Sequence, residues 1–176
     1  MDPSTNKKLN WPEEPLWNFS LAYYARDGVP QTLLTLQDQY DLDVNLILLA
    51  IWAGAEPALR LKKQDFSALE IVASQWREDI VKPLRAVRRT LKTSVFAETI
   101  GSHELRTAVA AAELDAEHSA QIALAKKMSD LAPLAATNEI AAGVAANLDA
   151  YFKHAGIEMT QKIKNERFFL VSQAEI

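Results

Sequence analysis

Asp41-Leu42-Asp43-Val44-Asn45 places oxygen-bearing side chains at alternate positions, as the first five residues of a calcium-binding loop do. Such a loop then needs a Gly at its sixth position for the sharp turn and a bidentate Glu at its twelfth. Leu46 and Trp52 occupy those places, so the spacing excludes calcium. What remains is a helix start: Asp41 or Asp43 can accept bonds from the orphan N–H groups of a following helix. Asn45, one turn in, must then find partners inside an apolar run, and Gln37 or Asp38 on the preceding helix are the expected ones. The alternative is a ligand pocket in which Asp38, Asp43 and Asn45 meet an Arg, walled by Trp17, Trp52 and Trp76. Trp residues at helical spacing otherwise read as core.

A second candidate is Asp115 three residues before His118, the spacing used by helical di-iron bundles. Those sites need the pair twice, and neither His103 nor His154 has an acid three residues before it. His118 is therefore expected at the surface among solvated charges, and no metal or cofactor is expected. The chain has no Cys, which removes thiol chemistry, disulfides and iron–sulfur ligation. Phosphate-cradling Gly loops and Ser/His/Asp arrangements are missing as well.

The third feature is charge. The 176 residues carry a net −4, against a whole-molecule attraction to nucleic acid. Yet Arg77, Lys82, Arg85, Arg88, Arg89 and Lys92 stand against only Glu78 and Asp79, and the next segment answers with Glu98, Glu104, Glu113, Asp115 and Glu117 against Arg106. A hairpin would let the two neutralise each other, each exposed pair adding little. A face left open would instead hold an acidic partner through forked guanidinium donors, with Arg77, Arg85, Arg88 and Arg89 as its contacts. Nucleic acid is disfavoured, because no aromatic platform or recognition-helix pattern accompanies the basic residues.

Helices must position all of these groups. No sustained alternation, Asn-Gly or Asp-Gly hairpin signal occurs, and 49% of the residues are apolar, enough for a core. The expected fold is all-α: one compact bundle of five to seven helices. Residues 1–14 read as a flexible arm, 15–156 as the helical domain and 157–176 as an amphipathic tail. Pro15 opens a helix to about Arg26, ended by Gly28, and a second runs from about Gln31 to Tyr40. The third, about 43–53, is apolar on nearly every side and must be central, with Gly54 and Pro57 stopping it. Ser67 and Glu70 have capping-box spacing and open a basic helix to about Thr93, kinked at Pro83. Its apolar stripe is Leu69, Val72, Trp76, Ile80, Leu84 or Pro83, Val87 and Leu91. An Ala-rich hairpin over 102–156 follows, its first helix turning Leu105, Val109, Ala112, Ala116 and Ala123 inward and Pro133 closing it. No run is long enough to span a bilayer and no export signal is visible, which implies a cytoplasmic protein.

Several stretches together resemble a known family: Leu16-Trp17-Asn18-Phe19-Ser20-Leu21, Leu36-Gln37-Asp38, Leu42-Asp43-Val44-Asn45-Leu46 with Trp52, and Trp76-Arg77 through Pro83-Leu84-Arg85, Arg88-Arg89 and Leu91. The family is one of small, mostly proteobacterial, conserved hypothetical all-helical proteins, and the likeness covers about residues 15–92. It carries no assigned activity. The resemblance implies that Gln37, Asp38, Asp43, Asn45 and the Trp76 to Arg89 face belong to a shared design. The function expected from the whole is a non-enzymatic interaction or regulatory protein that binds an acidic partner, with the pocket, small-molecule-binding or enzymatic, as its rival and weak nucleic-acid binding as a second alternative.

Overall fold

The computed structural model describes residues 14–56, 58–93, 95–131 and 139–174. They form an all-α bundle, and no strand occurs among them. In chain order the helices are α1 (Pro15–Tyr24), α2 (Val29–Tyr40), α3 (Val44–Ala55), α4 (Lys63–Trp76), α5 (Lys82–Lys92), α6 (Ser102–Ser129), α7 (Ile140–His154) and α8 (Gln161–Ala174). A π-helical turn, Arg77–Val81, joins α4 to α5, so these two form one continuous rod. Residues 1–13 of the arm, Pro57 and Pro133 lie outside the described residues.

Helix α3 is the axis. Every residue from Leu46 to Gly54 is buried, as an all-round apolar helix requires. Asp43 caps it, its Oδ1 accepting from the N–H of Asn45 at 2.8 Å and of Leu46 at 3.2 Å. Gly54 does not stop the helix, as its residue type suggests, but lies inside it. A Cβ there would come 2.5 Å from the backbone nitrogen of Val144, so its missing side chain is what lets α3 and α7 cross in contact.

Two hydrogen-bonding side chains of α7 fasten the ends of α3. Tyr151 accepts from the Asp43 N–H at 2.8 Å. Fully buried Asn147 donates to the carbonyls of Ala50 and Leu59 and accepts from Leu61 N–H at 2.8 Å, which holds the turn around Ala58, whose φ is +52°. The C-terminal segment forms α8, anchored by buried Ile163 and Leu170 and by the Tyr23 hydroxyl donating to the Leu170 carbonyl at 2.6 Å.

The rod departs from its expected form in two ways. It starts one turn early, at Lys63, because Asp65 accepts from the Lys62 N–H at 2.7 Å, and Ser67 is an exposed residue inside the helix. And Pro83 does not act alone. The π-turn before it bonds Lys82 N–H to the Arg77 carbonyl, five residues back, and this added residue absorbs the register that the missing Pro83 N–H disrupts. The same insertion rotates the apolar stripe by one position. Val81 is buried, whereas Ile80 and Val87 are exposed and α5 buries no residue at all. On α6 the inner face also differs: Glu113, Ala116, Ala120, Gln121, Leu124 and Met128 are buried, while Leu105 and Ala112 face solvent. The Ala run cannot supply a wide apolar seam, so the contact is set by the acids that meet the rod's guanidinium groups.

Candidate functional site

Arg77 is the pivot of the rod. From the first residue of the π-turn its Nη1 donates to Asp43 Oδ2 at 2.6 Å, its Nη2 to Glu70 at 3.0 Å and its Nε to Glu78 at 3.1 Å. Burial alone would lower this guanidinium's pKa, yet the bonds to Asp43 and Glu70 hold it above its ordinary value. Asp43 thus caps α3 and clamps the rod to it. Two turns on, Arg85 reaches across to α6, its Nε donating to Glu113 at 2.8 Å and its Nη2 to Glu117 at 3.2 Å. Arg88 adds a 2.5 Å bond to the other oxygen of Glu113.

Of the acidic segment, Glu113 and Glu117 thus neutralise Arg85 and Arg88, while Arg77 is held by Asp43, Glu70 and Glu78. Arg77, Arg85 and Arg88 do not form an open face, and the reason for expecting an acidic partner on them is removed. Arg89 points elsewhere. It is exposed, and its guanidinium has no ion-pair or hydrogen-bond partner among the described residues.

Asn45 also differs from expectation. Gln37 donates only to its neighbour Asp38, at 3.4 Å, and neither bonds to Asn45. At the start of α3 the Asn45 side chain faces α6 instead, donating through Nδ2 to Glu117 Oε2 and accepting from Gln121 Nε2 at 2.9 Å. Glu117 ends this chain and also meets Arg85.

The two glutamates share Arg85 but titrate in opposite directions. Burial pushes Glu113 up, yet hydrogen bonds from Arg88 and Arg85 outweigh it and hold the carboxyl below its usual range. Burial pushes Glu117 up as well. There the Asn45 amide and Arg85 act against the negative charges of Asp43 and Glu113, and its carboxyl stays above its usual range.

Around this bridge lies a cleft of two lobes. The first, ≈ 700 Å³, runs between the α2–α3 turn and the rod, and its walls include Asp38, Asp43, Trp76, Arg77, Arg85 and Glu117. The second, ≈ 730 Å³, opens between α1 and α6 and is more apolar, with Trp17, Leu21, Tyr24, Leu34, Leu48 and Leu114 in its walls. Gln37, Asp38, Asn45, Arg85, Arg89 and Glu117 border both lobes. The site thus brings together Asp38, Asp43, Asn45, Trp76, Arg77 and Arg85 on one side and Trp17 with Arg88 on the other.

Trp52 is not among them. It is buried in the core and donates through its indole N–H to Glu56 at 3.0 Å, away from either lobe. His118 is also misplaced by spacing alone: it is 5% exposed, stacked on Trp17 with ring centroids 4.4 Å apart, and burial lowers its pKa. Glu113, Glu117 and Gln121 are the site residues that sequence reasoning missed. Their signal is a polar residue on every fourth position of one α6 face, 113, 117 and 121, inside an Ala-rich helix.

A family model described as Protein of unknown function (DUF2390) matches residues 15–124, well over half of the chain. The chain belongs to that family. No curated protein and no solved structure matches it. The family match continues past the stretch that carries the sequence resemblance and takes in α6 as far as Leu124, so the described residues lining both lobes all fall within it. Helices α7 and α8 lie beyond it. No helix among the described residues is long and apolar enough to cross a membrane.

Proposed function

We propose that the protein binds a small molecule in the two-lobed cleft, holding an anionic group at Arg89 and an apolar body in the lobe between α1 and α6. The observation that carries this reading is the pairing pattern of the four arginines. Three of them spend their donors on Asp43, Glu70, Glu78, Glu113 and Glu117, and Arg89, at the border of both lobes, does not. A concave site with apolar walls and a few convergent polar groups is the common form of a small-ligand pocket. An acidic protein partner, by contrast, would have to compete for guanidinium groups already held by partly buried carboxylates.

The test is titration with 1-anilinonaphthalene-8-sulfonate, which joins an apolar ring system to one anion. The expected result is saturable, single-site fluorescence enhancement that weakens at least fivefold in Arg89→Gln while that variant's urea melt stays unchanged. Absence of saturable binding to the folded protein, or equal affinity in Arg89→Gln, would overturn the reading. Because this dye also reports loosely packed states, the unchanged melt is part of the measurement.

A further inference from the structure

The hydrogen-bond chain that divides the cleft has a direction. Glu117 offers only oxygens to Asn45, so the Asn45 amide must present its Nδ2 there and its Oδ1 to the other side. That oxygen in turn requires the Nε2 of Gln121, found at 2.9 Å. The orientation of Gln121 is thereby fixed from a carboxylate two links away, and its Oε1 is left as an acceptor.

Gln121 is 2% exposed, and this Oε1 has no hydrogen-bond partner among the described residues. Ser20, on α1, is 3% exposed, and its hydroxyl has no partner among them either. Both residues line the apolar lobe, each one turn along its helix from the Trp17–His118 stack that joins α1 to α6. Buried polar atoms are almost always satisfied, and two orphans on one cavity mark a place where something else supplies the bonds. A carboxamide oxygen needs a donor, and a serine hydroxyl can donate in return. A hydroxyl supplies both bonds from a single oxygen, as a bound water does, and a ligand that displaces that water must replace both.

We infer that the ligand of this cleft carries a hydroxyl on the buried end of its apolar body, donating to Gln121 Oε1 and accepting from Ser20 Oγ, with its anion at the mouth. This rests on the cleft reading above and adds the chemical class, a hydroxylated apolar carboxylate or a similar anion. The apolar lobe, ≈ 730 Å³, has room for a body of two fused rings.

The experiment compares 6-hydroxy-2-naphthoate with 6-methoxy-2-naphthoate by calorimetric titration of the full chain. The methoxy oxygen still accepts but cannot donate, and its methyl adds bulk, so the Gln121 variant is what isolates the donated bond. The expected result is about tenfold tighter binding of the hydroxy compound, a preference lost in Gln121→Leu, while Ser20→Ala weakens both compounds because both oxygens accept from Ser20 Oγ. If Gln121→Leu does not fold, Gln121→Met takes its place. Equal affinities for the two naphthoates, a preference that survives in the Gln121 variant, or no binding of either compound overturns the inference. A saturable, Arg89-dependent response to the anilinonaphthalene dye together with equal naphthoate affinities would overturn the hydroxyl alone and leave the cleft reading standing.

Discussion

Replacing Asn45 by Leu tests the bridge between α3 and α6 directly. The change leaves the Asp43 cap intact, since Asn45 joins it only through its backbone N–H. Two bonds vanish. The Nε2 of Gln121, on a residue only 2% exposed, loses its acceptor, at a cost of about 1–3 kcal/mol for a buried unpaired donor. Glu117 loses one donor but keeps Arg85 and some contact with water, so that part costs about 1 kcal/mol. The half-buried Leu returns a fraction of a kcal/mol, leaving a net loss of roughly 2–3 kcal/mol.

The pH dependence supplies a second reading of the same variant. Glu117 already has a raised carboxyl pKa, so the folded state takes up its proton more readily than the unfolded chain. Removing the Asn45 donor raises it further. The penalty is therefore fully present above the folded pKa and shrinks as pH falls through it toward the usual carboxylate range. Urea melts at several pH values, with m held common, measure both quantities. A loss under about 0.5 kcal/mol at neutral pH, or a penalty that grows on acidification, would refute the argument.

Three further outcomes are expected. Arg85→Glu should cost about 2–3 kcal/mol, because it sets a third carboxylate beside Glu113 and Glu117, while Arg89→Glu should stay within about 0.5 kcal/mol; thermal melts of the two single variants compare them. Gly54→Ala should destabilise by about 2 kcal/mol or more despite Ala's better helix propensity, since its methyl would meet the α7 backbone at Gly143 and Val144; a urea midpoint at or above wild type would contradict this. Glu113→Gln should cost about 1–2 kcal/mol at neutral pH. Because the carboxyl of Glu113 lies below its usual range, its contribution is complete above that range and is lost as pH falls through the lower folded value, so the variant's acid limb should be flatter than wild type's.

What could be read from residue order was whatever depended on neighbours a few positions apart. The apolar run after Asp43 announces a central helix and its cap, and both are present. The opposite charges of α5 and α6 leave two readings open, a face for an acidic partner or a pairing with the chain's own acids, and Arg85 and Arg88 are found paired with Glu113 and Glu117. Whether those arginines stay open or close on the chain's own acids depends on rotation about the rod, and a π-turn that no local pattern signals sets that rotation. The partner of Asn45 is 72 positions away on a helix whose alanines hide its buried face. Gln37 and Asp38 were nearer in sequence and lost. The charged neighbours of His118 in the chain point to solvent, whereas Trp17, from far earlier in the chain, stacks on it.

The absence of any buried residue on α5 has a dynamic consequence. That helix is fastened to α6 chiefly through charged groups, while α3 and α7 are locked by close backbone contact. Segments with few enclosed apolar contacts detach at a fraction of the global free energy. One side of the cavity is thus a lightly held wall against a rigid frame, and amide exchange on α5 should be faster than on α3 and α7.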